Sequence, residues 1–254
     1  MKKSKDTKVR SILISQPKPD NDKSPFLLLA RKFKLKMDFR PFIHVEGIPA
    51  KEFRKSKLNL HDFSAVIFTS RNAIDNFFRV CDELKLKMSQ ETKYLCISEA
   101  IAVYLQKYTL YRKRKVFFAN GTPKGLMDLL LKYKEGENFL LPCTDMHKEE
   151  IPAFLASREF KYSEAVIYKT VCSDLSDLKE IKYDMIVFFS PSGIKSLFHN
   201  FPDFKQDKTI IAAFGPSTSK AVLDANLRLD VQAPVPQAPS MTMAIERFLK
   251  SPGK

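Results

Sequence analysis

The sequence predicts an α/β protein built as two parallel-sheet lobes, one inserted into the other and joined by two extended linkers. Three observations lead there. Short apolar runs alternate with helix-period segments, the signature of parallel sheets covered by helices. The alternation is duplicated: FSAVIFTSRNAIDNFF (63–78) and YDMIVFFSPSGIKSLF (183–198) match in kind position by position, which implies two sheets. The first strand and helix stand far in sequence from the second repeat and complete its sheet. One lobe then comprises residues 1–38 and 174–254, the other 46–166, with linkers at about 39–45 and 167–173.

Taken in order, Lys8–Ser15 reads as the first strand, followed by the polar, proline-bearing loop QPKPDNDKSP. Phe26–Phe33 reads as a helix with Leu27, Leu28 and Ala30 to Phe33 on its apolar side, and Asp38–Gly47 as extended chain. Lys51–Leu60 reads as a polar loop or short helix. The first repeat follows, then the strand–turn–helix units of Tyr94–Leu105 and Val116–Tyr133. NFLLPCTDMHKEEIPAFLAS gives a fourth unit, its strand running to Cys143 and its helix entered near Thr144 or Asp145. Glu164–Val171 is a further strand. The second repeat continues in Ile210–Leu223 and Val231–Leu249, the counterparts of Tyr94–Leu105 and Val116–Tyr133.

The turn at Ser190 shows the pattern most clearly. Met185–Phe189 is an unbroken apolar run, as in a strand buried on both faces. Ser190 then precedes Pro191, and Ile194, Leu197 and Phe198 recur at helical spacing, so the serine reads as an N-cap and the proline as the first helical residue. The N–H groups of Ser192, Gly193 and Ile194 are expected to have no partner inside the helix. Thr122-Pro123 and Gly215-Pro216 open helices in the same way. Two readings stay open for such turns: a hydroxyl that only caps its helix, or an anion site at the carboxyl end of a strand.

Composition narrows the chemistry. A 254-residue chain with 44% hydrophobic and 28% charged residues is that of a soluble globular protein. Cys81, Cys96, Cys143 and Cys172 form no CxxC pair, and His44, His61, His147 and His199 show no ligand spacing. The expectation is a reducing, cytoplasmic compartment, with no structural disulfide and no zinc. No apolar run approaches the roughly 20 residues of a membrane span, and Ile12–Ile14 is too short for a signal core. The net charge of +14 points to a polyanionic partner. Its basic residues are dispersed, the densest run being Arg112 to Lys115, without a zinc-finger, KH or RNP pattern. A small polyanion is therefore favoured over nucleic acid or an anionic membrane. Two facing sheet edges, each carrying helix starts and hydroxyls, are expected to make a cleft for several carboxylates or phosphates.

The chain resembles the uroporphyrinogen-III synthase family along most of its length. FTSRNAI is similar to the family's FTS-x-NA-V turn, FFSPSGI to its SPSG segment, and AAFGPSTSKAV to its A-x-GP-x-T-x-AL segment. LPCTDMHKEEIPAFLASREFKYSEAVIYKTV resembles the stretch leading to the family's tyrosine, and APVPQAPSMTMAI its C-terminal TP-x-AL element. The resemblance implies two flavodoxin-like lobes and a monomeric, cofactor-free lyase of tetrapyrrole synthesis. Its substrate would be hydroxymethylbilane, a linear tetrapyrrole with four acetates and four propionates. The hydroxyl leaves ring A as water, and the ring closes with ring D inverted.

Carried over residue by residue, Tyr168 matches the tyrosine that helps the hydroxyl leave. Ser70, Asn72, Ser190, Ser192, Gly193 and Thr218 match positions lining the substrate cleft, and Thr122 and Gly215 belong to the equivalent turns. Lys148 stands where many members have a basic residue suited to a carboxylate. The chain departs from the family's V-G-x-x-T-A turn, with Ser98 for the glycine and Ile101 for the threonine. Ser98 either supplies the missing hydroxyl or caps its helix. For Tyr168 the competing reading is an amphipathic tyrosine packed in a strand. For the whole chain it is a non-catalytic binder of a tetrapyrrole or another polyanion.

Overall fold

The structure, a computed structural model, describes residues 9–146, 149–178 and 182–250. The chain up to His44 and from Val171 onward forms one compact unit, and Val45–Thr170 forms the other.

Strand β1 (Ser11–Ile14), helix α1 (Pro25–Phe33) and strand β2 (Lys36–Phe39) open the first unit. Strand β3 (Ile43–Gly47) and the one-turn helix α2 (Ala50–Phe53) lead into the second. There β4 (Ala65–Phe68), α3 (Arg71–Glu83), β5 (Lys93–Cys96), α4 (Glu99–Tyr104), β6 (Val116–Phe118) and α5 (Pro123–Leu131) alternate. They are followed by β7 (Phe139–Thr144), α6 (Glu150–Ser157) and β8 (Tyr162–Cys172). The first unit resumes with β9 (Met185–Phe188), α7 (Pro191–Asn200), β10 (Ile210–Phe214), α8 (Pro216–Asp224), β11 (Val231–Ala233) and α9 (Met241–Lys250).

The strand orders are β11-β10-β9-β1-β2 in one sheet and β3-β8-β7-β4-β5-β6 in the other. The ladders joining β2, β1, β9, β10 and β11 are all parallel, and so are those joining β8, β7, β4, β5 and β6. Placed side by side, β9, β10 and β11 hold the positions of β4, β5 and β6, while β1 and β2 hold those of β7 and β8. The duplication thus extends to the fourth unit. Its counterpart, β1–α1–β2, stands at the front of the chain, where sequence order conceals the match. Asp184 fastens that displaced strand: its carboxylate accepts the N–H groups of Arg10 and Ser11 at 2.8 and 2.9 Å and the Ser11 hydroxyl at 3.0 Å.

The central strands are apolar throughout because both sheet faces are covered. Val66 and Phe68 face a cluster containing Ile74, Phe77 and Val80 of α3, while Ala65 and Ile67 face one containing Leu126, Leu130 and Leu155. In the other sheet Met185 and Val187 pack with Leu29 and Ile245, and Ile186 and Phe188 with Leu197 and Val222. Truncating one such fully buried residue to alanine costs about 2–5 kcal/mol.

One element differs from expectation. Helix α6 begins at Glu150 and not near Thr144 or Asp145. The Asp145 N–H still donates to the Tyr168 carbonyl at 3.3 Å, and its carboxylate accepts the Thr144 hydroxyl and the Met146 N–H. These bonds hold the chain against β8, out of a helical turn. Within the stretches expected as extended linkers, Phe39 ends β2, Ile43–Gly47 is β3, and β8 runs through Cys172.

Candidate functional site

In each sheet the loops after the parallel strands leave from one edge, and the residues singled out in the sequence collect there. In the second unit Ser70, Ser98 and Thr122 follow β4, β5 and β6. Each has extended backbone and caps the next helix, accepting the N–H of Ala73, Ile101 and Gly125 at 3.1, 3.4 and 3.0 Å. In the first unit Ser190 accepts the Gly193 N–H at 3.2 Å. This is the N-cap expected of Ser190: the Gly193 N–H takes its partner from the capping residue and not from within the helix. A capping hydroxyl still keeps its own hydrogen for an outside acceptor. Capping and ligand binding are thus compatible at these serines.

The neighbours of these caps differ. Ser98 forms an isolated bridge with Asn120, and the Asn120 side-chain oxygen accepts both the N–H and the hydroxyl of Thr122 at 3.1 and 2.7 Å. Asn120 was not legible as part of the site; only the fold brings it against Ser98. Asn72 is exposed, and Ser192 is half-buried. Gly193 lies over the Phe188 ring, where a Cβ would come within 3.3 Å. Gly215 precedes α8 with φ +91°, a conformation reserved for glycine, and its N–H donates to the Ala233 carbonyl at 2.6 Å. Thr218 is 1% exposed, on the packed face of α8. Lys148 lies outside the described residues.

Tyr168 is brought to Ser70. Its hydroxyl lies 3.5 Å from the Ser70 hydroxyl, although 98 residues separate them. A bulge in the β7–β8 ladder aims the ring. Cys143 pairs with Val166 but Thr144 pairs with Tyr168, so Ile167 is the extra residue. Strict alternation would send Ile167 and Tyr168 to opposite faces; with the bulge, both join the same core cluster. Tyr168 is 8% exposed. Burial pushes its phenol above the ordinary 10.0, the Ser70 hydroxyl pulls it down, and Cys143 adds a smaller upward push. The group is a neutral proton donor at neutral pH, set at the carboxyl edge of a sheet.

Beside Ser70, a cavity of about 250 Å³ is lined by Thr69, Ile97, Pro123, Leu141, Cys143, Glu150, Ile151 and Pro152. It falls below the roughly 300–1,000 Å³ of pockets that enclose a drug-sized ligand. A larger hollow of about 1140 Å³, lined by Lys182, Tyr183, Asp184 and residues 203–209, lies at the opposite edge of the five-stranded sheet. None of the predicted site residues among the described ones lines it. Among the described residues no helix is long and apolar enough to cross a membrane.

Comparison with known proteins gives a consistent picture. A family model described as uroporphyrinogen-III synthase HemD matches residues 27–243. The uroporphyrinogen-III synthase of Chlorobaculum parvum is 23% identical over 253 residues, covering 95% of this chain and all of that protein (100%). Among solved structures, the uroporphyrinogen-III synthetase of Helicobacter pylori has a TM-score of 0.60 at 18% identity, over 95% of this chain and 99% of that one. A mutant uroporphyrinogen III synthase of Thermus thermophilus has a TM-score of 0.54 at 17% identity, with the same coverage. At these identities the structural likeness bears on the fold.

Proposed function

The chain belongs to the uroporphyrinogen-III synthase family, and from that premise we propose that it closes hydroxymethylbilane to uroporphyrinogen III, inverting ring D as water leaves. The observation that carries the reading is the Tyr168–Ser70 pair, a buried neutral phenol against a capping hydroxyl at a sheet's carboxyl edge.

In the first step the bond between the ring A carbon and its hydroxyl breaks, and the electron pair leaves with oxygen. Tyr168 gives its proton to that oxygen, so water departs in place of hydroxide. The ring A pyrrole nitrogen shares the positive charge left on carbon. Ring D then attacks that carbon through its substituted α-carbon and forms a spirocyclic intermediate. The bond from this α-carbon to the ring C methylene breaks, leaving the positive charge on the ring C side. Ring D's unsubstituted α-carbon bonds that methylene, closing the macrocycle with ring D inverted. The proton released when ring D regains aromaticity balances the one that Tyr168 gave.

The eight carboxylates are held by short neutral donors. The donors that stay open to an outside acceptor are Ser70, Asn72, Ser98 and Thr122 of one unit and Ser190 and Ser192 of the other. Lys148 adds a cation by its place in the sequence. A net charge of +14 draws the substrate in, and the protein acts as a cytoplasmic monomer. The test is to give purified protein fresh hydroxymethylbilane and separate the uroporphyrinogen isomers. The III isomer is expected to exceed the buffer control, and an equal ratio would refute the activity.

A further inference from the structure

Arg71, the first residue of α3, is adjacent to Ser70 and exposed. Asp75 stands four residues on along the same helix, a spacing at which such charges ordinarily pair. Here Asp75 is already occupied. The Tyr104 hydroxyl lies 2.9 and 3.0 Å from its two oxygens, and the Tyr108 hydroxyl donates to Oδ1 at 2.5 Å. Lys107, 3.8 Å from the same carboxylate, supplies the balancing charge. Arg71 instead lies over the face of the Tyr104 ring, its guanidinium carbon 5.1 Å from the centroid. Among the described residues no carboxylate pairs with it. The stacked guanidinium keeps its planar fork of N–H donors, which suits two-pronged recognition of a carboxylate.

We infer that Arg71 binds a carboxylate of the substrate at the start of α3, and that Tyr104, engaged by Asp75, is the positioning residue that keeps Arg71 available. This rests on reading the substrate as a tetrapyrrole polycarboxylate. The cluster works by occupation. The two phenols hold the nearest anion, so the arginine beside the Ser70–Tyr168 pair is not neutralised by its own helix.

The test compares Arg71→Gln with Lys87→Gln, which removes the same charge from an exposed position beyond the other end of α3. Arg71→Gln should raise KM for hydroxymethylbilane about tenfold or more, the equivalent of one charged hydrogen bond, with kcat within about twofold. Lys87→Gln should leave both unchanged. An unchanged KM in Arg71→Gln, or an equal rise in both variants, overturns the inference. Tyr104→Phe keeps the ring but frees a carboxylate oxygen of Asp75 for Arg71, so KM should rise. Adding Asp75→Asn should restore it, which a merely structural role would not do; no rise in Tyr104→Phe overturns the positioning role. Fluorescence titration with uroporphyrin, an octacarboxylate, runs beside the kinetics. If wild-type protein makes no III isomer, the activity reading fails, yet the titration still decides Arg71. An unchanged Kd in Arg71→Gln sinks the inference, and a tenfold loss upholds the carboxylate site.

Discussion

The Tyr168 hydroxyl lies 3.5 Å from that of Ser70, whose oxygen already accepts the Ala73 N–H at 3.1 Å. One serine therefore ties a helix start to the proposed proton donor. Tyr168→Phe should reduce III-isomer formation by about 10²–10⁴-fold, the usual span for a positioned acid. The ring remains, so the melting temperature should scarcely move. Burial first of all holds the phenol above its ordinary 10.0, so it stays protonated through neutral pH. A pH–rate profile whose alkaline limb lies near pH 8 and vanishes in Tyr168→Phe would contradict that placement.

Ser70→Ala and Ser190→Ala each remove an N-cap and should destabilise the protein by about 0.5–2 kcal/mol, read from the urea midpoint. The two should part in kinetics. Ser70→Ala also removes the partner of Tyr168 and should lower kcat, whereas Ser190→Ala should act mainly on KM. Identical kinetic profiles would mean that the Ser70–Tyr168 contact does not assist the chemical step.

At Gly215 the backbone has φ +91° and ψ 150°, and a Cβ there would meet nothing within 4 Å. The strain of a side chain is thus purely conformational, about 1–3 kcal/mol. Gly215→Ala should lower stability by that amount in chemical denaturation. Unchanged stability would show that the turn before α8 relaxes freely.

Cys81, Cys96 and Cys143 are buried, and burial raises each thiol from 9.0 to about 12. Above pH 9 the unfolded chain loses these protons while the folded one keeps them, so the unfolded state binds fewer. The stability is therefore full below pH 9 and falls as pH rises toward about 12. Urea midpoints across that range should show the decline. At neutral pH a thiol reagent should label Cys172, the one cysteine only partly buried, well before the other three. Rapid labelling of all four would mean that the core opens easily.

The arrangement of strands and the capped turns were legible in the residues themselves. An apolar run of four or five followed by Ser-Pro, Thr-Pro or Gly-Pro encodes strand, cap and helix within a dozen positions, and local chemistry suffices to read it. Duplication of that pattern indicated two sheets. The Tyr168–Ser70 contact, the β7–β8 bulge that aims the ring, and the place of Asn120 arose from tertiary structure, because each depends on the register between distant strands. The same holds for β1–α1–β2 as the counterpart of β7–α6–β8, which appears only when strand order replaces chain order. Arg71 and Asp75 carry in sequence the mark of an ordinary helical ion pair. Tyr104 and Tyr108, 29 and 33 residues beyond Asp75, take that carboxylate and leave the arginine free. Competition for one acceptor is a property of packing, and no local pattern records its outcome.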